Sequence, residues 1–214
     1  MNSNEVRRQW AERSGAYSPE YYAHYGPDQR SESIHGILDR FVDRDAAVLE
    51  LGCSSGRHLA HLHEQGFENL HGIDVNEDAF DVMEENYPDL AATGTFYHDT
   101  IEDTVGDFAD DQFDVVYSVE TLQHLHPDVE WVLEDLTRIT ADLLITVENE
   151  GENDDGDSDD NQPDSDDLDV SYVNDDFPLY HRDWNQVFTD LGLLEVEAES
   201  GKRDTVRAFR TAQK

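Results

Sequence analysis

The stretch Glu50-Leu51-Gly52-Cys53-Ser54-Ser55-Gly56 sets an acid and two glycines at the end of an apolar run, Ala47 to Leu51. Gly52 and Gly56 lack a Cβ, so the backbone can turn tightly there and let a ligand approach closely. Asp74 closes a second apolar run, 22 residues past Gly52. A carboxylate at such a point can accept hydrogen bonds from both hydroxyls of a ribose. Ser54 lies between the glycines; it holds a strongly positive φ less readily than glycine, but its hydroxyl can donate to a ligand. A phosphate-binding P-loop needs Gly-Lys-Ser/Thr, and no lysine is near. A dinucleotide turn asks for Gly-x-Gly-x-x-Gly, whereas three residues separate Gly52 from Gly56.

These residues need strands that end beneath them. Ala47–Leu51, "NLHGIDV", "ATGTFYHD", "QFDVVYSV" and "DLLITVE" read as five strands. Between them fall helical patterns at Arg57 to Gln65, in "EDAFDVMEENY" behind Asn76 as N-cap, and from Pro127 with Trp131, Val132, Leu136 and Ile139 on one face. Upstream, Ile34, Ile37, Leu38, Phe41 and Val42 recur at helical spacing. Downstream come an amphipathic "YHRDWNQVFTDLGL" and two alternating segments, "LLEVEAE" and "DTVRAFRTA", which read as an antiparallel edge pair. The expected fold is α/β, a Rossmann-like, doubly wound and mostly parallel seven-stranded sheet. The expected division is a helical cap over 1–44 with aromatic Trp10, Tyr17, Tyr21, Tyr22 and Tyr25, a core over 45–149, an acidic and flexible insertion over 150–176, and a C-terminal helix with edge strands over 177–214.

Over Val48 to Glu148 the chain resembles the class I S-adenosylmethionine-dependent methyltransferases, of the type 11/25 kind. "ELGCSSG" is similar to the family's first motif, Asp74 in "GIDVN" to its ribose-binding acid, and Asp99 in "YHDTIED" to the acid that meets the adenine amino group. The resemblance implies S-adenosylmethionine as cofactor, with Glu50, Gly52, Cys53, Ser54 and Gly56 on its methionine side. It places Val75 beside the adenine, Thr100 and Ile101 at the adenine edge, and Ser118, Val119 and Glu120 toward the sulfonium. S-adenosylmethionine carries no phosphate, in keeping with the missing lysine, and its cation suits a site lined by carboxylates. No Asn/Asp-Pro-Pro-Tyr/Phe signature follows the fourth strand, which speaks against amide or base-amine methylation of that type. The implied reaction is direct displacement onto a small-molecule acceptor. The alternatives are another nucleotide-using Rossmann-like enzyme, such as a dehydrogenase, and a non-catalytic protein that binds the same cofactor as a sensor.

His124 in "TLQHLHP" and Glu120 are the candidate catalytic groups beside the acceptor. A neutral imidazole can take a proton from an incoming hydroxyl or amine. The other reading of His124 is a packing or capping residue near Pro127. His58, His61 and His63 sit on or beside one helix with no ligand set in sequence, and read as surface or packing residues. Asp155, Asp157 and Asp159 have the alternation of a calcium loop, but Asp160 stands where its glycine belongs and no glutamate closes it. No metal site is expected.

Fourteen basic residues face 51 acidic ones, a formal net charge of -37. Thirteen of the acids fall between Glu150 and Asp176, yet the remainder is strongly negative too, and only Lys202 and Lys214 are lysines. Such a surface repels itself unless salt screens it, so a halophile-like, salt-rich cytoplasm is the expected setting. The charge excludes a basic footprint for nucleic acid. One cysteine, Cys53, allows no internal disulfide, and neither a leader pattern nor a bilayer-length apolar run is present, so the expected location is cytoplasmic, away from membranes.

Overall fold

A computed structural model of the protein describes residues 1–151, 169–173 and 177–212. Most of the acidic segment, including Asp155, Asp157, Asp159 and Asp160, lies outside the described residues.

The first strand, β1 (Val48–Leu51), pairs in parallel with β2 (Leu70–Asp74) on one side and with β4 (Phe113–Val119) on the other. Beyond β2 lies β3 (Thr95–His98), and beyond β4 lies β5 (Thr140–Glu148), both parallel to their neighbours. The last two strands of the chain complete the sheet in antiparallel sense. β9 (Thr205–Arg210) pairs with β5, and β8 (Leu194–Ser200) forms the outer edge against β9. The order is therefore β3-β2-β1-β4-β5-β9-β8, the expected seven-stranded arrangement. Strand order reverses between β1 and β4, and a crevice must open above their carboxyl ends.

Helices cover both faces. Ile34, Ile37 and Leu38 of α3 (Gln29–Phe41) and Leu59 and Leu62 of α4 (Arg57–Glu64) pack on Val48, Tyr117 and Ile145. α5 (Asp78–Asn86) and α6 (Pro88–Thr93) add Met83 and Leu90 to this layer. On the opposite face, α7 (Ile101–Val105), α8 (Val132–Ile139) and α9 (Trp184–Asp190) bring Val105, Leu136, Trp184 and Phe188 onto Leu49, Val116 and Leu144. Val115, Val116 and Tyr117 are all buried, as a strand covered on both faces requires.

The N-terminal 44 residues divide in role. α3 belongs to the sheet's covering layer, while α1 (Ser3–Ala11) and α2 (Pro19–Tyr25) lead to the crevice. The helix expected over "EDAFDVMEENY" is α5; Pro88 disfavours helix at Tyr87 and opens a further short helix, α6, that was not expected. Trp131 precedes the first turn of α8 and is half exposed, not on the buried face. A two-stranded antiparallel hairpin of β6 (Val170–Val173) and β7 (Phe177–Tyr180) was not expected at all.

Candidate functional site

The turn after β1 departs from ordinary L-residue geometry three times: φ is +67° at Gly52, +48° at Ser54 and +77° at Gly56. Ser54 thus occupies the left-handed region despite its Cβ. Asp74 holds it there: one carboxylate oxygen accepts from the Ser54 N–H at 2.7 Å, the other from the Asn76 N–H at 2.8 Å. The acid at the end of β2 therefore fixes the turns after both strands. Burial pushes its carboxyl above the usual range against the pull of these two amides. The absence of side chains at the glycines is structural. A Cβ on Gly52 would overlap the Thr121 side chain, and one on Gly56 would lie 2.8 Å from the Met83 methyl.

Above these turns the crevice forms two hollows that share Trp10, Gly52, Asp74, Thr121 and His124. One, of about 780 Å³ including its mouth, is bordered by Glu50, Cys53, Ser54, Arg13, Tyr22, Val119 and Glu120. The other, about 550 Å³, is bordered by Val75, Asp99, Thr100, Ile101 and the first helix. Gly56 borders neither; it acts at the turn below. Asp99 is exposed and accepts the Thr100 N–H at 2.8 Å, while the Thr100 side chain caps α7.

Glu50 is buried, with the Tyr117 hydroxyl donating to it at 3.0 Å from the register-matched position of β4. Burial pushes its carboxyl up to about 8, so its neutral form dominates near neutral pH. The chain's N-terminal part is tied over the crevice by Asn76, whose side-chain amide donates to the carbonyls of Trp10 and Arg13, both at 3.2 Å. The Trp10 ring lies 4.7 Å from His124 and 4.5 Å from Phe177 of the hairpin, centroid to centroid. Arg13 stacks over Phe177 at 4.5 Å and makes no ion pair among the described residues. Burial pulls His124 down to about 4, so it is neutral near pH 7. Its Nδ1 donates to the Pro178 carbonyl at 2.9 Å, which leaves Nε2 as the unprotonated nitrogen.

The far wall beyond β4 is built from ion pairs. Glu120, at φ +48°, donates its N–H to Val147 and places its carboxylate 3.2 Å from Arg30. Arg30 also holds Asp204 at 2.7 Å and Asp28 at 3.1 Å, and Asp28 reaches Arg57 at 3.2 Å. Arg57 lies under the Tyr22 ring at 4.8 Å. Burial raises the Glu120 carboxyl against the pull of Arg30.

Ser118 lies apart from both hollows: its hydroxyl donates to Glu148 at 2.7 Å. Glu148, which the sequence reading passed over as a strand end, also accepts the backbone N–H groups of Thr121, Leu122 and Gln123 at 3.1–3.2 Å. Burial pushes it up to about 7. Arg30 and Arg57 were likewise not singled out, because Glu120, Asp204 and Asp28 meet them from other segments, and Asn76 was read only as a helix N-cap.

The fold is a Rossmann-like α/β sheet with a crevice above the carboxyl ends of its central strands, and it is similar to the fold of solved S-adenosylmethionine-dependent methyltransferases. A family model described as "Methyltransferase domain" matches residues 48–142, the span from β1 to the start of β5. No curated protein matches the chain. Among solved structures, the chain is similar to geranyl diphosphate C-methyltransferase from Streptomyces coelicolor A3(2), in complex with Mg2+, geranyl diphosphate and S-adenosyl-L-homocysteine, with a TM-score of 0.69 at 12% identity, covering 98% of each chain. It is similar to 1,6-didemethyltoxoflavin-N1-methyltransferase from Burkholderia thailandensis (TM-score 0.63, 16% identity, 86% of this chain and 78% of that one). Magnesium protoporphyrin IX methyltransferase from Synechocystis PCC 6803, with bound S-adenosylmethionine, gives a TM-score of 0.61 at 14% identity over 98% and 90%. At these identities the likeness is one of fold.

Proposed function

We propose that this protein binds S-adenosylmethionine and transfers its methyl group to a small-molecule acceptor by direct displacement. The observation that carries this reading is the set of carboxylates that border the two joined hollows, with Arg13 beside them. Asp74 and Asp99 offer acceptors toward the second hollow, Glu50 and Glu120 border the first, and Arg13 stands there without a carboxylate partner among the described residues. The cofactor brings complementary groups: ribose hydroxyls, an adenine amine, an ammonium, a sulfonium and one carboxylate. Asp74 would take the ribose, Asp99 and Ile101 the adenine, and Arg13 the carboxylate. When bound, the cofactor supplies an electrophilic methyl on a cationic sulfur. Trp10, Tyr17 and Tyr22 would exclude water from the reacting groups, and alignment within the cleft would supply much of the rate.

Of the two candidate catalytic groups, Glu120 is better suited to take a proton, because a carboxyl raised toward neutrality is a stronger base. His124, held neutral by burial, would present Nε2 as a hydrogen-bond acceptor that orients the nucleophile. The small-molecule class follows from the enclosure of the first hollow beneath aromatic rings and from an acidic surface that repels nucleic acid. The acid excess is read as adaptation to a salt-rich cytoplasm.

Titration calorimetry in about 1 M KCl, where screening acts within about 3 Å, tests the reading. S-adenosylmethionine and S-adenosylhomocysteine should bind, NAD should not, and Asp74→Ala should weaken both sulfur ligands by about 100-fold, since a charged acceptor of two hydrogen bonds is lost. Binding of NAD in place of the sulfur compounds would favour the dehydrogenase alternative. Binding without methyl transfer to any acceptor in a small-molecule extract would favour a sensor.

A further inference from the structure

We propose that Glu32, His35 and His61 form a divalent transition-metal site that staples α3 to α4, outside the crevice. Glu32 and His35 are three apart on α3 and so share a face, and His61 meets them from α4. One ligand atom from each of the three lies within 4.8 Å of the other two. The Glu32 carboxylate is 3.7 Å from His61 Nε2, and the two imidazoles meet edge to face at 5.6 Å.

The histidines carry the argument, not the acid. His61 is only 7% exposed, and the Nε2 atoms of both His35 and His61 are buried without a hydrogen-bond partner. Two orphaned ring nitrogens side by side are costly in an apolar layer unless something bridges them. A metal ion does so directly. Ligands on a tetrahedral zinc stand about 3.3 Å apart at bond lengths near 2 Å, so separations of 3.7 Å to at most 4.8 Å must close by about 0.4 to 1.5 Å. Glu32, whose side chain is 69% exposed, has room to move inward. Water would fill the remaining positions. Two imidazoles with one carboxylate select a borderline ion such as Zn2+, Co2+ or Ni2+ over Mg2+ or Ca2+, which prefer all-oxygen shells.

The location gives the ion a consequence. His61 is one turn beyond His58, whose ring contacts the Ser31 hydroxyl of α3 at 2.7 Å. At the same ends of these helices, Asp28 and Arg57 form the ion pair in the crevice wall. An ion at His35 and His61 would lock the two helices that carry that pair.

The test uses the full chain stripped with EDTA and titrated with ZnCl2, beside His35→Ala and Glu32→Gln. His61→Ala joins them provided its circular dichroism matches wild type. The wild type should bind one equivalent, and its midpoint of thermal unfolding should rise by about 5 to 10 °C at a 100-fold excess over Kd. Co2+ as probe should give visible d–d bands of a low-symmetry N/O site. His35→Ala should weaken ZnCl2 binding at least tenfold and abolish those bands, and Glu32→Gln should weaken it less. No stoichiometric uptake, an equal Kd in His35→Ala, or several weak equivalents displaced by MgCl2 would each overturn the site, the last marking binding to the acidic surface alone. Binding of S-adenosylmethionine is not part of the readout, so the two proposals fail independently.

Discussion

Glu50, next to last in β1, and Glu148, last in β5, lie on parallel strands on either side of β4, and both are almost wholly removed from water. Their surroundings differ. Glu50 has the Tyr117 hydroxyl and a single backbone amide, that of Leu59, and faces the crevice. Glu148 has the Ser118 hydroxyl and three consecutive backbone amides, and faces the turn that follows β4. Burial pushes the first to about 8 and the second only to about 7. Amide donors converging on a carboxylate offset part of the cost of dehydration. Glu148 is thus a built anchor that shapes the turn bearing Thr121 and His124, whereas Glu50 is left under-solvated where a cationic ligand would relieve it.

The largest expected effect separates the two. Both folded values lie above the ordinary carboxylate value of 4.5, so burial favours the protonated forms. That contribution is whole below pH 4.5 and is lost as pH rises through about 7 for Glu148 and about 8 for Glu50. The loss is on the order of several kcal/mol for the pair. Glu50→Gln should remove the Glu50 part and make the ligand-free protein more stable than wild type at pH 8.5 in urea titrations. Glu148→Gln should destabilise at every pH, because an amide NH2 must then face a backbone N–H. Equal behaviour of the two variants would show that the amide nest has no energetic role.

The same contrast extends to the two walls of the crevice. On the β1–β2 side, Asp74 engages Ser54 and Asn76, residues close in sequence or on the adjacent strand end. On the β4 side, Arg30 gathers its near neighbour Asp28 together with Glu120 and Asp204 from two remote segments. Arg30→Met should leave these carboxylates facing one another and cost about 2 kcal/mol in unfolding free energy, between the values for exposed and for fully buried pairs. On the proposed function it should also lower the rate of methyl transfer while leaving S-adenosylmethionine affinity within about threefold, since Arg30, Asp28 and Asp204 border neither hollow and reach the first only through Glu120. A matching loss of cofactor affinity would mean the two walls do not act separately.

This division explains what could be read from the sequence. The order strand, turn, helix puts Glu50 and Asp74 at neighbouring strand ends, whereas Asp99 was singled out only through the family resemblance. The partners of Arg30 are up to 174 residues away, and no periodicity encodes such a meeting. His124 could be singled out by its place after β4, but its tautomer depends on the Pro178 carbonyl of a hairpin that the sequence reading missed. Val170 and Tyr172 of that hairpin are exposed, so its first strand lacks the apolar run that marked the others. Ser118 is the opposite case. It lies in β4 as expected, but alternation puts its hydroxyl on the face opposite Tyr117 and Glu50, toward Glu148.

The smallest effect bears on Ser54 and Glu120, the two non-glycine residues at φ +48° that border the crevice, one on each wall. A left-handed conformation costs an L-residue about 1 to 2 kcal/mol. Glycine relieves that strain but adds about 0.4 to 1 kcal/mol of unfolded-state entropy to overcome. Ser54 is held by its backbone N–H on Asp74, which glycine retains, so Ser54→Gly should stabilise by about 0.5 kcal/mol, with cofactor affinity little changed. Glu120 is held in addition by its side chain on Arg30. Glu120→Gly gains the same relief yet leaves Arg30 one carboxylate short, and should be neutral or destabilising in the same urea titration. If Ser54→Gly instead weakens S-adenosylmethionine binding by tenfold or more, the serine hydroxyl contacts the cofactor, and the β1 turn recognises its ligand through a side chain as well as through its backbone.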